Sequence, residues 1–398
     1  MSLDITPRYR HIHVNVNSTI IQNMPSSQNE VDLEAALAKQ LEAIIGDVPW
    51  LRNWKVKQEA VSRDVGWDIS ASIPLPNGNT AELLVECKAE PRPSLFSTIV
   101  ERRFDKSGAV HSAIPVLAAP FIGPRMAEVC WSRNWSWFDL AGNCRINVPD
   151  AFYIERTGRE RLGPAPKPMV NLSRWESARI LRVLLAPDNA GMAWTQRLLL
   201  NHMGSQPNGL PGVSTGLINK VIRSLRDDQF IEEQAKGGFK LKDPIGLLAA
   251  WREAYRFEKH RRQGYFTLLQ GRQLHEALVR FESHTGGHAA YAVYSAAAIQ
   301  APNVRQPKTW LYVGSQFEEQ FRSIVEAKPV DSGENLVVLF PADDHVFYLQ
   351  EAEGDGLPCT NPIQTCIDLY KVGGRGEEAA QSILEQKLKP AWQVAGIL

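Results

Sequence analysis

The stretch from Val213 to Lys242 leaves the chain few ways to fold. Ser214 is a good helix N-cap. Behind it Leu217, Val221 and Leu225 recur at spacing four, with Ile218 and Ile222 beside them, so one face of a helix is apolar. The opposite face carries Thr215, Asn219, Lys220 and Arg223. Asp227-Asp228-Gln229 then leads into Phe230-Ile231, a short apolar strand. Ala235-Lys-Gly-Gly238 is a hairpin turn and Phe239-Lys-Leu-Lys242 is the return strand. Lys236, Lys240 and Lys242 crowd that hairpin.

Two further helices are expected upstream. Ser173–Leu185 has a cap in Ser173, Glu176 three residues on, and an apolar face of Ile180, Leu181, Leu184 and Leu185; Pro187 ends it. Thr195–Asn201 is a shorter candidate. Three helices followed by a basic hairpin make a winged helix-turn-helix. Thr215, Asn219, Lys220 and Arg223 are side chains that bond to base edges and phosphates, with Ser214 at the helix start. The wording "GVSTGLINKVIRSLRDDQFIEE" resembles that of many bacterial winged regulators. The resemblance implies a recognition helix over Ser214–Arg226 and a wing over Lys236–Lys242. The connection Met203–Val213, about 11 residues, is longer than the usual turn of about 3–4.

Charge divides the chain in the same place. The formal net charge is zero, which as a bulk number argues against a polyanion-coating protein. Two breaks partition it: the Pro-rich Gly163–Pro168, and a second near Arg261–Gly264. Residues 1–165 sum to −1, residues 166–262 hold 16 Lys and Arg against 9 Asp and Glu, or +7, and residues 263–398 sum to −6. A +7 segment of under 100 residues fits a nucleic-acid contact, and an evenly solvated surface fits it as well. The acidic end would then restrain non-specific DNA binding.

The length favours several domains. At 44% hydrophobic and 22% charged residues the chain is of ordinary globular composition. No window reaches 18 consecutive apolar residues, so no membrane span is expected, and residues 1–20 do not read as a signal peptide. The five cysteines (Cys87, Cys130, Cys144, Cys359, Cys366) form no CxxC pair and no zinc-spaced cluster, which fits a cytoplasmic protein.

Residues 1–165 pattern as a mixed sheet with helices. Val31–Ile45 is an amphipathic helix. Gly66–Pro74 alternates apolar and polar residues, Pro76–Asn79 is a turn, and Glu82–Ala89 is a second strand. Ile114–Ala119 is a buried strand between helical stretches, and Trp137–Leu140 opens another. Asp68 followed by Glu86-Cys87-Lys88 has the form of the restriction-endonuclease-like motif D…ExK. Two carboxylates can hold a divalent cation such as Mg²⁺ through hard oxygens. The metal stabilises phosphate charge and supports a water nucleophile, and the lysine adds positive charge nearby. Period two puts Glu86 and Lys88 on one face. A two-residue turn at Asn77-Gly78 would send Asp68 to the other face, whereas an odd-length turn or a bulge would assemble the site. A charged trio on a purely structural sheet is the competing reading.

Residues 263–398 are expected as an α+β domain, with helices over Tyr265–Phe281, Tyr291–Ile299 and Gln316–Glu326 and strands over Thr309–Val313, Asn335–Phe340 and Val346–Leu349. Tyr312-Val-Gly314-Ser315 lacks the paired Asp-x-Asp that a nucleotidyltransferase needs, and GxxxxGK[ST] is absent, so this domain is expected to be non-catalytic.

The winged module, then "LKDPIGLLAAWREAY", "YSAAAI" and "DLYKVGGRGEEAAQSILEQ", together resemble the AbiEi-type transcriptional regulators, the antitoxins of type IV toxin–antitoxin systems. "DLAGN" at 139–143 matches a region of similar proteins. The resemblance covers roughly residues 170–390. It implies a bacterial regulator that binds double-stranded operator DNA and represses its own operon, without a resident cofactor. It also implies a functional partnership with a nucleotidyltransferase-like toxin but no stable complex. A homodimer is left open. The long N-terminal region departs from a minimal antitoxin and keeps a second reading in play: a Mg²⁺-dependent nuclease with Asp68, Glu86 and Lys88 as its catalytic residues, Asp68 and Glu86 as its metal ligands, and the winged module for targeting.

Overall fold

A computed structural model describes residues 26–58, 67–75, 78–104, 113–162, 172, 174–204, 213–235, 237–304, 306–352 and 356–398. The protein is mixed α/β and divides into two compact units, Met1–Pro166 and Lys167–Leu398. The expected cap Ser173, the Pro-rich Gly163–Pro168, the turn at 209–212 and Lys236 lie outside the described residues.

The first unit is built on one sheet. In chain order it comprises α1 (Ser26–Gly46), β1 (Lys55–Gln58), β2 (Ile69–Pro74), β3 (Thr80–Cys87), α2 (Pro93–Phe104), β4 (Ala113–Ala119), α3 (Pro124–Ser132), β5 (Ser136–Asp139), β6 (Cys144–Val148) and β7 (Phe152–Arg156). The seven strands lie in sequence order. β3, β4 and β5 run parallel, with α2 and α3 in the crossovers, and the other neighbouring pairs are antiparallel. Alternation decides which residues go where. Leu83, Val85 and Cys87 join Leu37 and Leu41 of α1 in one core, while Leu117 and Trp137 join Phe96 and Met126 in a second. The sheet is thus apolar on both faces, as parallel crossovers require.

The second unit opens with α4 (Trp175–Leu185), α5 (Gln196–Gly204), α6 (Thr215–Asp227), β8 (Ile231–Glu233), β9 (Phe239–Leu241) and α7 (Pro244–Ala254). Ser214 caps α6 by accepting the Leu217 amide at 3.3 Å. Ile218, Val221, Ile222 and Leu225 of that helix are fully buried, each worth about 1.5–3 kcal/mol of apolar transfer. β8 and β9 form a hairpin. Trp194, just before α5, bridges Phe239 through two 2.7 Å backbone bonds and adds a third rung to that hairpin. Gly238 permits this approach. Its φ is +91°, and a Cβ there would strike the Trp194 carbonyl.

The unit continues with β10 (Arg261–Phe266), α8 (Gly271–Thr285), β11 (Ala289–Tyr291), α9 (Val293–Gln300), β12 (Thr309–Val313), α10 (Glu318–Ile324), β13 (Lys328–Pro329), β14 (Leu336–Phe340), α11 (Pro362–Val372), α12 (Gly376–Ile383) and α13 (Lys389–Val394). Five strands pair in the order β11-β12-β14-β10-β13.

Two expectations are corrected here. Tyr265 lies in a strand rather than a helix, because β10 pairs with β14 from Arg261 to Tyr265 and the helix starts only at Gly271. Val346 sits in a short 3-10 turn, Asp344–Phe347, and not in a strand. The break expected near Arg262 falls inside β10. Residues 167–262 and 263–398 share one continuous core, in which Ile180, Leu184 and Trp251 pack with Val337, Ile367 and Trp392. Among the described residues no helix is long and apolar enough to cross a membrane.

Candidate nucleic-acid interface and carboxylate cluster

The exposed face of α6 carries Thr215, Asn219, Lys220 and Arg223. Ser214 is also exposed, but its hydroxyl is engaged as the cap. Among the described residues Lys220 and Arg223 have no ion-pair partner, whereas Arg226, one turn on, is held by Glu233 of the hairpin at 3.0 Å. The hairpin lysines differ from one another. Lys240 is half-buried and stands directly across from Glu232, while Lys242 is exposed. Lys236 lies outside the described residues.

The charge map of this unit has a second use. Arg179 and Arg182 belong to the +7 segment but are buried. Arg179 pairs with Asp343 at 2.6 Å, Arg252 with Glu377 at 2.6 Å and Arg261 with Glu318 at 2.5 Å. Each of these joins the basic segment to the acidic one. Part of the segregation seen in the sequence is therefore intramolecular complementarity. What remains exposed for an external polyanion includes Lys220 and Arg223 on α6 and Lys242, with Arg174 and Arg197 elsewhere in the segment.

In the first unit the β2–β3 register sets Ile69 across from Val85. The ladder ends at that pair, and one residue before it the Asp68 amide donates to the Val85 carbonyl at 3.0 Å, a bond off the register, so Asp68 lies just beyond the paired strand. The turn is of odd length. Leu75 pairs with Asn79 by a 2.8 Å bond, three residues lie between them, and Gly78 has φ +85°. Pro76 and Asn77 lie outside the described residues. A three-residue hairpin loop ending in a left-handed glycine is a common form, and it shifts pairing by one relative to a two-residue loop. Glu86 alternates with Leu83, Val85 and Cys87 and meets Lys88, while Asp68 is tied to the β3 backbone at Val85 and Cys87.

Glu86 is 5% exposed and takes the Lys88 ammonium at 2.6 Å. The Asp68 carboxylate accepts the Cys87 amide at 2.6 Å. A third carboxylate, Glu34, comes from α1, one turn before the buried Leu37. Burial first, and then the charges of Asp68, Glu34 and Glu86, push the Cys87 thiol up. The sequence reading missed Glu34. Its one signal is its place on the core-facing stripe of α1.

Among the described residues no group of three or more His, Cys, Asp and Glu side chains is placed to hold a metal. The donor pair Asp68 and Glu86 suits a hard cation that keeps several waters and adds substrate oxygens, which is how Mg²⁺ is commonly bound.

The "DLAGN" segment has a structural role. Asp139 is 0% exposed and accepts the amides of Ile122 at 3.2 Å and Asn143 at 2.9 Å, together with the Asn143 side-chain amide at 3.0 Å. Burial pushes its carboxyl up and these bonds pull it back. The motif closes the β5–β6 turn. Comparison with protein-family models, curated proteins and solved structures finds no match to this chain.

Proposed function

We propose that this protein is a DNA-binding transcriptional regulator of the antitoxin type, with α6 entering the major groove from a winged helix-turn-helix. The observation that carries the DNA contact is the pair Lys220 and Arg223. They are exposed and without an ion partner among the described residues, on a capped helix whose opposite face buries Ile218, Val221, Ile222 and Leu225. The order α4, α5, α6 and hairpin, with Trp194 bridging Phe239, supports the winged reading. Asn219 and Thr215 suit base edges, Arg223 and Lys220 suit guanine or phosphate, and Lys242 suits backbone. The link to an operon and a nucleotidyltransferase-like toxin rests on the sequence resemblance.

The test is binding of the full chain to its own promoter fragment across a salt series. Lys220→Ala with Arg223→Ala should weaken binding and lower the log–log salt slope by about 2, since each phosphate contact contributes about 0.9. Unchanged affinity and slope would sink the reading.

A second reading, a metal-dependent nuclease of the D…ExK type on a restriction-endonuclease-like sheet, is supported by the nearness of Asp68, bonded to the Val85 carbonyl and the Cys87 amide, to the Glu86–Lys88 pair. Asp68 and Glu86 would hold the cation, which when bound supplies charge for the phosphate and lowers the pKa of a water. Lys88, 40% exposed and paired with Glu86, is placed to hold a phosphate oxygen beside them. Plasmid cleavage with Mg²⁺ or Mn²⁺ is the assay. Activity that survives Glu86→Ala would exclude these residues.

A further inference from the structure

The basic and acidic segments of the second unit meet on a seam of buried polar groups. From α4, Arg179 grips Asp343 and Arg182 donates Nε to the Gln364 oxygen at 2.6 Å. Behind Gln364, Asp368 accepts from Tyr255 at 2.6 Å, Tyr312 at 3.0 Å and the Gln364 amide at 2.8 Å. His260 Nε2 meets the Tyr255 hydroxyl at 2.9 Å, and His260 Nδ1 accepts the Ala342 amide at 3.3 Å. This fixes His260 as a neutral ring with its proton on Nε2.

His345 has no such partners. It is 1% exposed, and among the described residues neither ring nitrogen has a hydrogen-bond partner. Its ring stacks on Tyr348, with centroids 4.8 Å apart and planes 10° from parallel. The Tyr348 hydroxyl is taken by His202 Nε2 at 2.5 Å and by the Asn189 side-chain amide at 3.0 Å. The charged groups around His345 are mostly basic. α4 brings Arg179 and Arg182, and α5 brings His202. On its own segment, Asp343 is occupied by Arg179, and Asp344 lies 3.8 Å from His288. On α11, Asp368 is screened behind Gln364. A buried imidazole among guanidinium groups, with no protein partner for either ring nitrogen among the described residues, is a group that folded proteins rarely retain without a use.

We propose that His345 is a proton-operated latch between α4 and the segment 343–348: the closed form accepts only the neutral ring, and a proton enters when α4 comes away. Opening releases Arg179 and Arg182 and loosens α4, the helix against which α6 packs. Burial first, then Arg182, Arg179 and His202, hold the His345 ring well below the ordinary histidine range.

The sign follows from linkage. A histidine neutral when closed and ordinary when open raises the opening constant about tenfold per pH unit below about 6.5. His260, pushed down to about 3 by burial and then by Arg182, adds a second factor of the same sense. Asp368, pushed up to about 6 by burial, holds its proton more tightly when closed and opposes them. Between pH of about 6 and 4 one histidine and Asp368 cancel, which leaves a net rise of about tenfold per pH unit.

The test is hydrogen exchange at the α4 amides of the full chain between pH 7.5 and 5, corrected for intrinsic rates. Wild type should open about tenfold more per pH unit below about 6.5. His345→Phe keeps the stack on Tyr348 and should lose that factor, so the ratio of the two opening constants grows about tenfold per unit. Parallel curves for the two proteins would overturn the latch. If His345→Phe does not fold, wild type labelled at histidine Cε1 decides. The His345 resonance should stay neutral for as long as α4 is protected. Titration near pH 6.5 with α4 still protected would overturn the proposal.

Discussion

Asp343→Ala tests whether the segment of α4–α7 and the C-terminal sheet are one cooperative body. Arg179 and Asp343 are 5% and 9% exposed at their side chains. Arg179 Nε lies 3.2 and 3.1 Å from the two carboxylate oxygens, and Nη2 lies 2.6 Å from Oδ1. Removing the carboxylate leaves a guanidinium buried with no compensating charge, which costs about 3–5 kcal/mol. At a urea m-value of about 3 kcal/mol/M, the midpoint should fall by about 1–2 M. The readout is tryptophan fluorescence of the full chain, because Trp251 and Trp392 lie in the core common to both segments. The unfolding transition that reports them should move as a whole. Arg179→Met with Asp343→Leu should recover most of the loss, since apolar replacement of a buried pair is commonly neutral or stabilising. A single-mutant loss under about 1 kcal/mol would refute the reasoning. So would a transition that splits, with only one segment's signal shifted. The shared core also means that removing residues 263–398 would strip Ile180 and Leu184 of their packing partners. The idea that the acidic end restrains non-specific DNA binding is therefore better tested by neutralising exposed carboxylates than by truncation.

Further outcomes follow from the same geometry. Lys242→Ala should lower the salt slope of DNA binding by about 1, and Lys240→Ala by less, because Lys240 faces Glu232. Asp139→Ala leaves the buried Ile122 and Asn143 backbone amides without this acceptor and the Asn143 side-chain amide with only the Arg159 carbonyl, and should cost about 3 kcal/mol in thermal or urea melts of the full chain. Asp368 has a raised pKa of about 6, so its contribution to stability is full below its unfolded value and is lost as pH rises through about 6. Asp368→Asn should therefore gain on wild type by roughly 2 kcal/mol between pH 4 and pH 7, read as the difference of their unfolding free energies. A constant difference would remove Asp368 from the list of coupled groups. Gly238→Ala should destabilise the hairpin, since φ +91° and the Trp194 carbonyl both exclude a Cβ.

Local chemistry determined the parts that depend on neighbours in sequence. Ser214, the spacing of Ile218, Val221, Ile222 and Leu225, and the turn before Phe239 are enough to specify α6 and its hairpin, because capping, period and turn geometry act within a few residues. The strands bearing Asp68 and Glu86 were legible for the same reason, but their register was not. It depends on how the chain closes between Leu75 and Asn79 and on where the ladder ends, at Ile69 across from Val85, one residue short of Asp68. Non-local pairing decided the rest. Tyr265 is a strand residue because β14 lies beside it, and the segment carrying the helical pattern begins later. The segregation of charge was visible in composition, yet its meaning was not. Only the tertiary structure shows that Arg179, Arg252 and Arg261 meet acidic residues from 57 to 164 positions away and leave Lys220 and Arg223 facing outward. A sequence gives the sign and period of its charges. Which of them neutralise each other is set by packing, where burial raises the cost of leaving a charge alone.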